Sequence, residues 1–108
     1  MRSKLCCALV LAAAVAAVAA TPEENYKEHC SKCHGSDGRA QTRLGKKSGA
    51  QNFTDKQAQA KLTDDEAFKS IKNGRKNKNG EERMEGFGGD LSDQEITALV
   101  AYIRKFKS

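Results

Sequence analysis

Residues 30–34 read Cys-Ser-Lys-Cys-His, and this C-x-x-C-H motif constrains the chain more than any other feature of its sequence. The motif is the signature for covalent attachment of a c-type haem. On a helix, positions i and i+3 share a face, and i+4 lies beside i one turn later. Cys30 and Cys33 are therefore expected to form thioethers at one haem edge, with His34 placed to bind the iron.

The first twenty residues have the features of a secretory signal peptide. Arg2 and Lys4 precede an apolar run over residues 5–18, and Ala-Val-Ala at residues 17–19 forms a small-x-small cleavage site. We predict a signal peptide over residues 1–20 and a mature domain over residues 21–108. The alternative is an uncleaved membrane anchor, although the apolar run is shorter than the ~20 residues of a typical span.

Loss of this leader changes both the charge and the cysteine count. The formal net charge falls from +5 to +3 because two basic residues leave, and two of four cysteines remain. A disulfide between Cys30 and Cys33 would enclose only two residues and crosslink nothing distant, so haem attachment is the better use of both. The single domain has four Phe, two Tyr and no Trp, and an apolar cofactor would supply much of its core.

The mature chain is predicted to begin with a helix over residues 22–33. Thr21 and Glu24 form a capping box around a proline at the first helical position. Tyr26 precedes Cys30 by four residues, so we expect its ring to pack beside the haem.

Residues 36–52 are rich in Gly, Ser, Lys, Arg and Gln and show neither helical nor strand periodicity. We predict an ordered loop along one haem edge, held by Leu44 and Phe53 as apolar anchors. The alternative is a mobile linker, which would be unusual inside a small domain.

Three further helices are predicted from capping residues. Two short ones cover residues 55–61 behind Thr54 and 64–73 behind Thr63, and the last follows Ser92. The last helix has apolar residues at helical spacing, and we expect it to pack on the first helix with Tyr102 near the crossing. Its apolar residues are Ile96, Leu99, Val100, Ile103 and Phe106.

Residues 75–90 are charged and glycine-rich, and they are not expected to form a stable helix. They contain Met84, the one methionine outside the leader, three positions before Phe87. Methionine and histidine are a known axial pair for haem iron, so we predict that Met84 binds the iron opposite His34. The alternative is a methionine that fills a gap in the packing.

Together these motifs resemble the small class I c-type cytochromes. The resemblance rests on C-x-x-C-H-G, a methionine fifty positions after His34, M-x-x-F, and the closing stretch LSDQEITALVAYIR. It implies an all-α cytochrome c fold in which crossed N- and C-terminal helices, short helices and loops surround one haem c. It also implies thioethers at Cys30 and Cys33 and axial ligation by His34 and Met84.

The chain departs from this family pattern in its prolines. Many relatives have a proline beside the ligating methionine, whereas Glu85 follows Met84 here and the chain has a single proline, Pro22. Relatives often use a loop proline carbonyl to accept the N–H of the proximal imidazole. We therefore expect another carbonyl, within residues 44–50, to accept from His34.

The resemblance implies a soluble, monomeric electron carrier that is not an enzyme and takes no small-molecule substrate. It would shuttle single electrons between redox partners in the periplasm or an equivalent extracytoplasmic space. One alternative is a haem protein whose open sixth site binds a gas or peroxide. Two weaker ones are a thiol redox module and a zinc site using His29, which we expect to be a surface residue.

A cluster of basic residues around Met84 is predicted to steer the protein toward acidic redox partners, although a merely solvated loop explains it equally well. Nucleic acid is not expected as a partner because the net charge is modest and no aromatic residues interleave the basic ones. The cluster comprises Lys69, Lys72, Arg75, Lys76, Lys78 and Arg83, interrupted by Glu81 and Glu82.

Overall fold

The computed structural model describes residues 20–106, which contain six helices and one two-stranded hairpin. Almost all of the predicted signal peptide lies outside the described residues. Within residues 20–106, no helix is both long enough and apolar enough to cross a membrane. The elements are α1 Pro22–His29, α2 Ser31–His34, α3 Arg43–Ser48, α4 Lys56–Lys61, α5 Asp64–Asn73, β1 Arg75–Lys76, β2 Glu82–Met84 and α6 Asp93–Ile103.

The predicted first helix is interrupted at Cys30 and forms two helices, α1 and α2. The capping box at Thr21 is present, and the Cys30 N–H still donates to the Tyr26 carbonyl at 2.9 Å. The Ser31 hydroxyl donates to the Lys27 carbonyl at 2.6 Å, a back-bond that tends to bend helices. The attachment motif therefore spans the break between α1 and α2.

Helices α1 and α6 pack against each other as predicted. The rings of Tyr26 and Tyr102 lie 5.2 Å apart between centroids. Near the start of both helices, the Asn25 amide donates to the Glu95 carboxylate at 3.0 Å. Glu95 also completes a capping box with Ser92, which confirms the predicted start of α6.

The prediction of a continuous loop over residues 36–52 is wrong, because α3 forms within it. Thr42 caps α3 by accepting the Gly45 N–H at 2.9 Å, and Gly49 ends it in the left-handed conformation. Leu44 is 49% exposed and does not anchor the segment, whereas Phe53 is buried as expected.

Helices α4 and α5 form close to their predicted positions. Helix α5 has the predicted bounds, and the Thr63 side chain accepts the Glu66 N–H at 3.1 Å. Helix α4 is capped by Asp55 instead of Thr54, because the Thr54 hydroxyl donates to the Asn52 side chain at 2.6 Å.

The segment after α5 is not helical, as predicted, but it forms a hairpin. Strands β1 and β2 pair antiparallel, with Arg75 opposite Met84. Beyond β2, the Phe87 N–H donates to the Ile71 carbonyl at 2.8 Å, and the next residues continue along the end of α5. The end of α5 thus holds the segment that follows Met84, because the last carbonyls of a helix lack partners within it.

Candidate haem site

One cavity of about 990 Å³ brings together all four predicted site residues, Cys30, Cys33, His34 and Met84. This volume is at the upper end of the ~300–1,000 Å³ typical of ligand and cofactor sites. Apart from His34, its buried lining is apolar, while its exposed lining is mostly charged. The buried apolar lining residues include Phe53, Leu62, Ala67, Ile71, Phe87, Leu99 and Ile103.

His34 is held in one orientation by a backbone carbonyl. Its Nδ1 lies 2.9 Å from the Gln51 carbonyl oxygen, which can only accept, so Nδ1 carries the proton and Nε2 keeps its lone pair. The Phe53 ring stacks on the imidazole at 4.3 Å between centroids. Burial lowers the pKa of His34, against the opposing effect of the Gln51 bond, so the neutral ligand form is favoured.

The acceptor for His34 lies one residue beyond the predicted range of residues 44–50. Helix α3 occupies most of that range and uses its own carbonyls, as when Gly45 accepts the Ala50 N–H at 2.8 Å. Gln51 follows the end of α3 and has a carbonyl free to face the imidazole. This is the arrangement that orients metal-binding histidines in general.

The two cysteines of the motif are not joined by a disulfide, and Cys30 is buried. Burial, followed by the proximity of Cys33, raises the pKa of the Cys30 thiol to about 12. A thiol that stays protonated is poorly suited to disulfide exchange, which argues against a thiol redox module. Within residues 20–106, no group of three His, Cys, Asp or Glu side chains is placed to hold a metal ion.

Helix α3 packs directly on the attachment motif and is hydrogen-bonded to it through its capping residue. The Thr42 hydroxyl donates to the Cys33 carbonyl at 2.7 Å. A Cβ atom added at Gly45 would lie only 2.2 Å from the same carbonyl oxygen. The absence of a side chain at Gly45 therefore permits α3 to pack on the motif.

Met84 is half-buried and comes to the cavity from β2. Gly74 has φ +79°, and a Cβ there would lie 2.5 Å from the Met84 carbonyl oxygen. Glu85 follows Met84, and its carboxylate lies 3.5 Å from the ammonium of Lys32. Lys32 lies between the two cysteines of the motif in sequence. The side chains of Lys32 and Glu85 are both more than half exposed, so this ion pair contributes little to stability.

Two neighbours of the motif differ from their predicted positions. Tyr26 does not line the cavity, because its ring packs on Tyr102 and Phe106 and its hydroxyl donates to the Gly35 carbonyl at 2.6 Å. His29 was expected at the surface but is half-buried and lines the cavity. Its ring lies 5.1 Å from that of Phe87, a contact between distant segments that sequence spacing could not indicate.

Two lysines of the predicted basic cluster form ion pairs and lie outside the cavity lining. Lys69 pairs with Asp65 at 3.0 Å and Lys72 with Asp93 at 2.9 Å, and neither lysine lines the cavity. The cluster members that do line it are Arg75, Lys76 and Arg83. Two lysines that the sequence interpretation left out of the cluster, Lys46 and Lys47, join them from α3.

The chain is similar to known proteins over most of its length. The family model for cytochrome C oxidase, cbb3-type, subunit III matches residues 17–103. The structure of the KustC0563 c-type cytochrome is 36% identical, with a TM-score of 0.73 over 82% of this chain and 100% of that one. A mutant of the same cytochrome is 35% identical over the same shares, with a TM-score of 0.70.

A third likeness covers only a small part of the other protein. Dihydro-heme d1 dehydrogenase NirN, in complex with DHE, is 28% identical over 79% of this chain and 16% of its own, with a TM-score of 0.60. Among curated proteins, no sequence matches this chain. Of these three structures, the two that this chain covers in full are of one c-type cytochrome.

Proposed function

Because the chain belongs to the family of cytochrome C oxidase, cbb3-type, subunit III, which implies haem-based electron transfer, we propose that it is a monohaem electron carrier. In this proposal, Cys30 and Cys33 hold one haem c through two thioethers, and His34 and Met84 are the axial ligands. The proposal includes the absence of enzymatic activity.

The geometry of His34 carries this proposal. Its Nδ1 proton is committed to the Gln51 carbonyl, and its unprotonated Nε2 belongs to a side chain that lines the cavity. The stacked Phe53 ring restricts rotation of the imidazole. A neutral histidine fixed in this way is a preformed metal ligand, and it directly follows a cysteine of the attachment motif.

The remaining lining residues favour electron transfer over catalysis. Bound haem supplies one-electron chemistry at its iron. A Met84 thioether bound to the iron would favour its reduced state, and the buried apolar residues of the lining would favour the less charged form. If His34 and Met84 both served as ligands, they would leave no open position for a substrate.

The test is expression with the haem-attachment machinery, followed by intact mass and a reduced-minus-oxidised spectrum. We expect the mass of one haem, a c-type spectrum, and a weak near-red sulfur-to-iron charge-transfer band in the ferric protein. The variants Cys30→Ser and Cys33→Ser should each lose one thioether. A protein without haem-sized added mass would refute the proposal.

The axial ligand is tested separately by substitution of Met84. Met84→Ala should lose the near-red band and bind carbon monoxide when reduced, while Met84→His should stay low-spin at a lower potential. Phe87→Leu, which changes a neighbour but no donor, is the control and should keep the band. If the unaltered protein lacks the band and binds carbon monoxide, the open-site alternative is correct.

We further propose that the mature protein works in the periplasm or an equivalent extracytoplasmic space. The leader sequence supports export, and the attachment motif is consistent with it. N-terminal sequencing of the protein from its native host should begin at residue 20 or 21. A mature chain that starts at residue 1 and stays in the membrane fraction would support the anchor instead.

We propose that this protein is a monomer and that its partners are redox proteins with acidic docking surfaces. Support comes from the cations of the hairpin that line the cavity, Arg75, Lys76 and Arg83. Attraction between opposite charges speeds association and weakens as salt rises. Association rates that do not change with ionic strength would contradict this proposal.

A further inference from the structure

Helix α3 presents one charged face to solvent. Gly45 is buried against Cys33, whereas four of the other five residues of the helix are exposed. At 3.6 residues per turn, four exposed residues fall within an arc of about 160° on the side opposite Gly45. These residues are Arg43, Leu44, Lys46 and Lys47.

This face combines an apolar side chain with unopposed positive charge. Leu44 is the one large hydrophobic side chain exposed within residues 20–106. Helix α3 has no acidic residue, and none of its three cations is within ion-pair distance of an acid in the described part of the chain. An apolar residue beside cations fits the apolar centre and polar rim of a docking site, because burial of the apolar residue adds affinity and the cations steer approach.

The face is also held by local hydrogen bonds and lies close to the proposed haem site. Helix α3 is capped at Thr42, closed at Gly49 and hydrogen-bonded to the Cys33 carbonyl. Lys46 and Lys47 line the cavity itself. A protein seated on α3 would therefore lie against the haem-attachment segment, where electron exchange needs it.

We propose that the exposed face of α3 is the docking surface for an acidic redox protein with an apolar residue or pocket at its contact site. This inference rests on the proposed electron-carrier function and deepens it. The positive charge of the face is complementary to an acidic partner. Leu44 offers that partner an apolar contact, which would have no role if the face contacted only solvent. An anionic membrane, which could attract the same face, is the competing occupant.

The charge contribution is tested by stopped-flow oxidation of the reduced holoprotein. The probes are ferricyanide, tris(phenanthroline)cobalt(III) and an acidic blue-copper protein with an apolar patch at its copper edge. At low ionic strength, Lys46→Glu/Lys47→Glu should slow the two anionic oxidants about tenfold and speed the cationic one. The matched control is Lys56→Glu/Lys61→Glu, which makes the same charge change on exposed residues of α4 outside the cavity lining.

The apolar contribution is tested with Leu44→Ser. Since about half of this side chain is already buried in the free protein, loss of its contact should raise the Kd for the blue-copper protein about threefold to tenfold. Oxidation by ferricyanide, which makes no apolar contact, should be unchanged. That contrast separates docking from damage to the haem site.

Several results would overturn the proposal. One is an α3 double variant that behaves like the α4 control, and another is a Leu44→Ser variant with an unchanged Kd. Binding of the protein to vesicles of phosphatidylglycerol and phosphatidylcholine that is lost in Leu44→Ser, while that variant's Kd for the blue-copper protein stays unchanged, would assign the face to a membrane. Failure of ferricyanide to oxidise the unaltered protein would instead refute the electron-carrier function.

Discussion

Replacement of Gly45 by alanine should disrupt the contact between α3 and the attachment motif. The new Cβ would lie 2.2 Å from the Cys33 carbonyl oxygen and 2.8 Å from the Thr42 hydroxyl oxygen. Relief of the first contact requires a movement of about 1 Å, which strains or breaks the hydrogen bond between Thr42 and Cys33. Overpacking of this kind costs about 1–3 kcal/mol, and the higher helix propensity of alanine recovers about 1 kcal/mol at most.

We therefore expect Gly45→Ala to lower the free energy of unfolding by about 1–2 kcal/mol, which corresponds to a fall in Tm of ~4–16 °C for a domain of this size. Guanidinium and thermal unfolding of the holoprotein, followed by circular dichroism, would measure it. The control is Gly89→Ala, since no atom lies within 4 Å of a Cβ there. A Gly45→Ala protein as stable as Gly89→Ala would refute the tight packing of α3 on Cys33.

Two further predictions concern the contact between α1 and α6 and the position of the hairpin. The hydrogen bond from Asn25 lowers the pKa of the Glu95 carboxyl below its usual 4.5, so this bond stabilises the fold above that pH and is lost as pH falls through the folded pKa. The stability gap between the unaltered protein and Asn25→Ala should thus be largest near neutral pH and shrink in acid, and a pH-independent gap would contradict it. Gly74→Ala should displace Met84 and weaken the near-red band, whereas Gly80→Ala, with the same φ of +79° but no atom near its Cβ, should keep the band at full strength.

Much of the helical fold was predictable because its helices begin with side-chain caps. Thr21, Thr63 and Ser92 each accept the N–H three residues later, and such bonds depend only on local sequence. Helix α3 has the same signals in Thr42 and Gly49, but its six residues include one exposed leucine and no buried apolar side chain. Hydrophobic periodicity is therefore absent from α3, and the capping residues alone did not reveal it.

The site residues were predictable as types but not as neighbours. The C-x-x-C-H motif identifies two candidate thioether cysteines and one candidate iron ligand from residue type and spacing alone. Met84 is identified in the same way, as a single methionine on a glycine-rich stretch. The placement of His29 against Phe87 depends on contact between segments far apart in sequence. Such contacts follow from packing, and local spacing does not encode them.

The acceptor of His34 shows why the missing proline does not weaken the site. Every residue type has a backbone carbonyl, so the hydrogen bond depends on chain path and not on the side chain at position 51. That path is set where α3 ends at Gly49, and it is held by the Gln51 side chain, which donates to the Ala58 carbonyl at 3.4 Å. Since α3 is positioned by Gly45 against Cys33, one glycine contact helps to place both the docking face and the orientation of the proposed iron ligand. A shift of α3 should therefore alter the redox potential together with the stability, and the potential of Gly45→Ala measures this coupling.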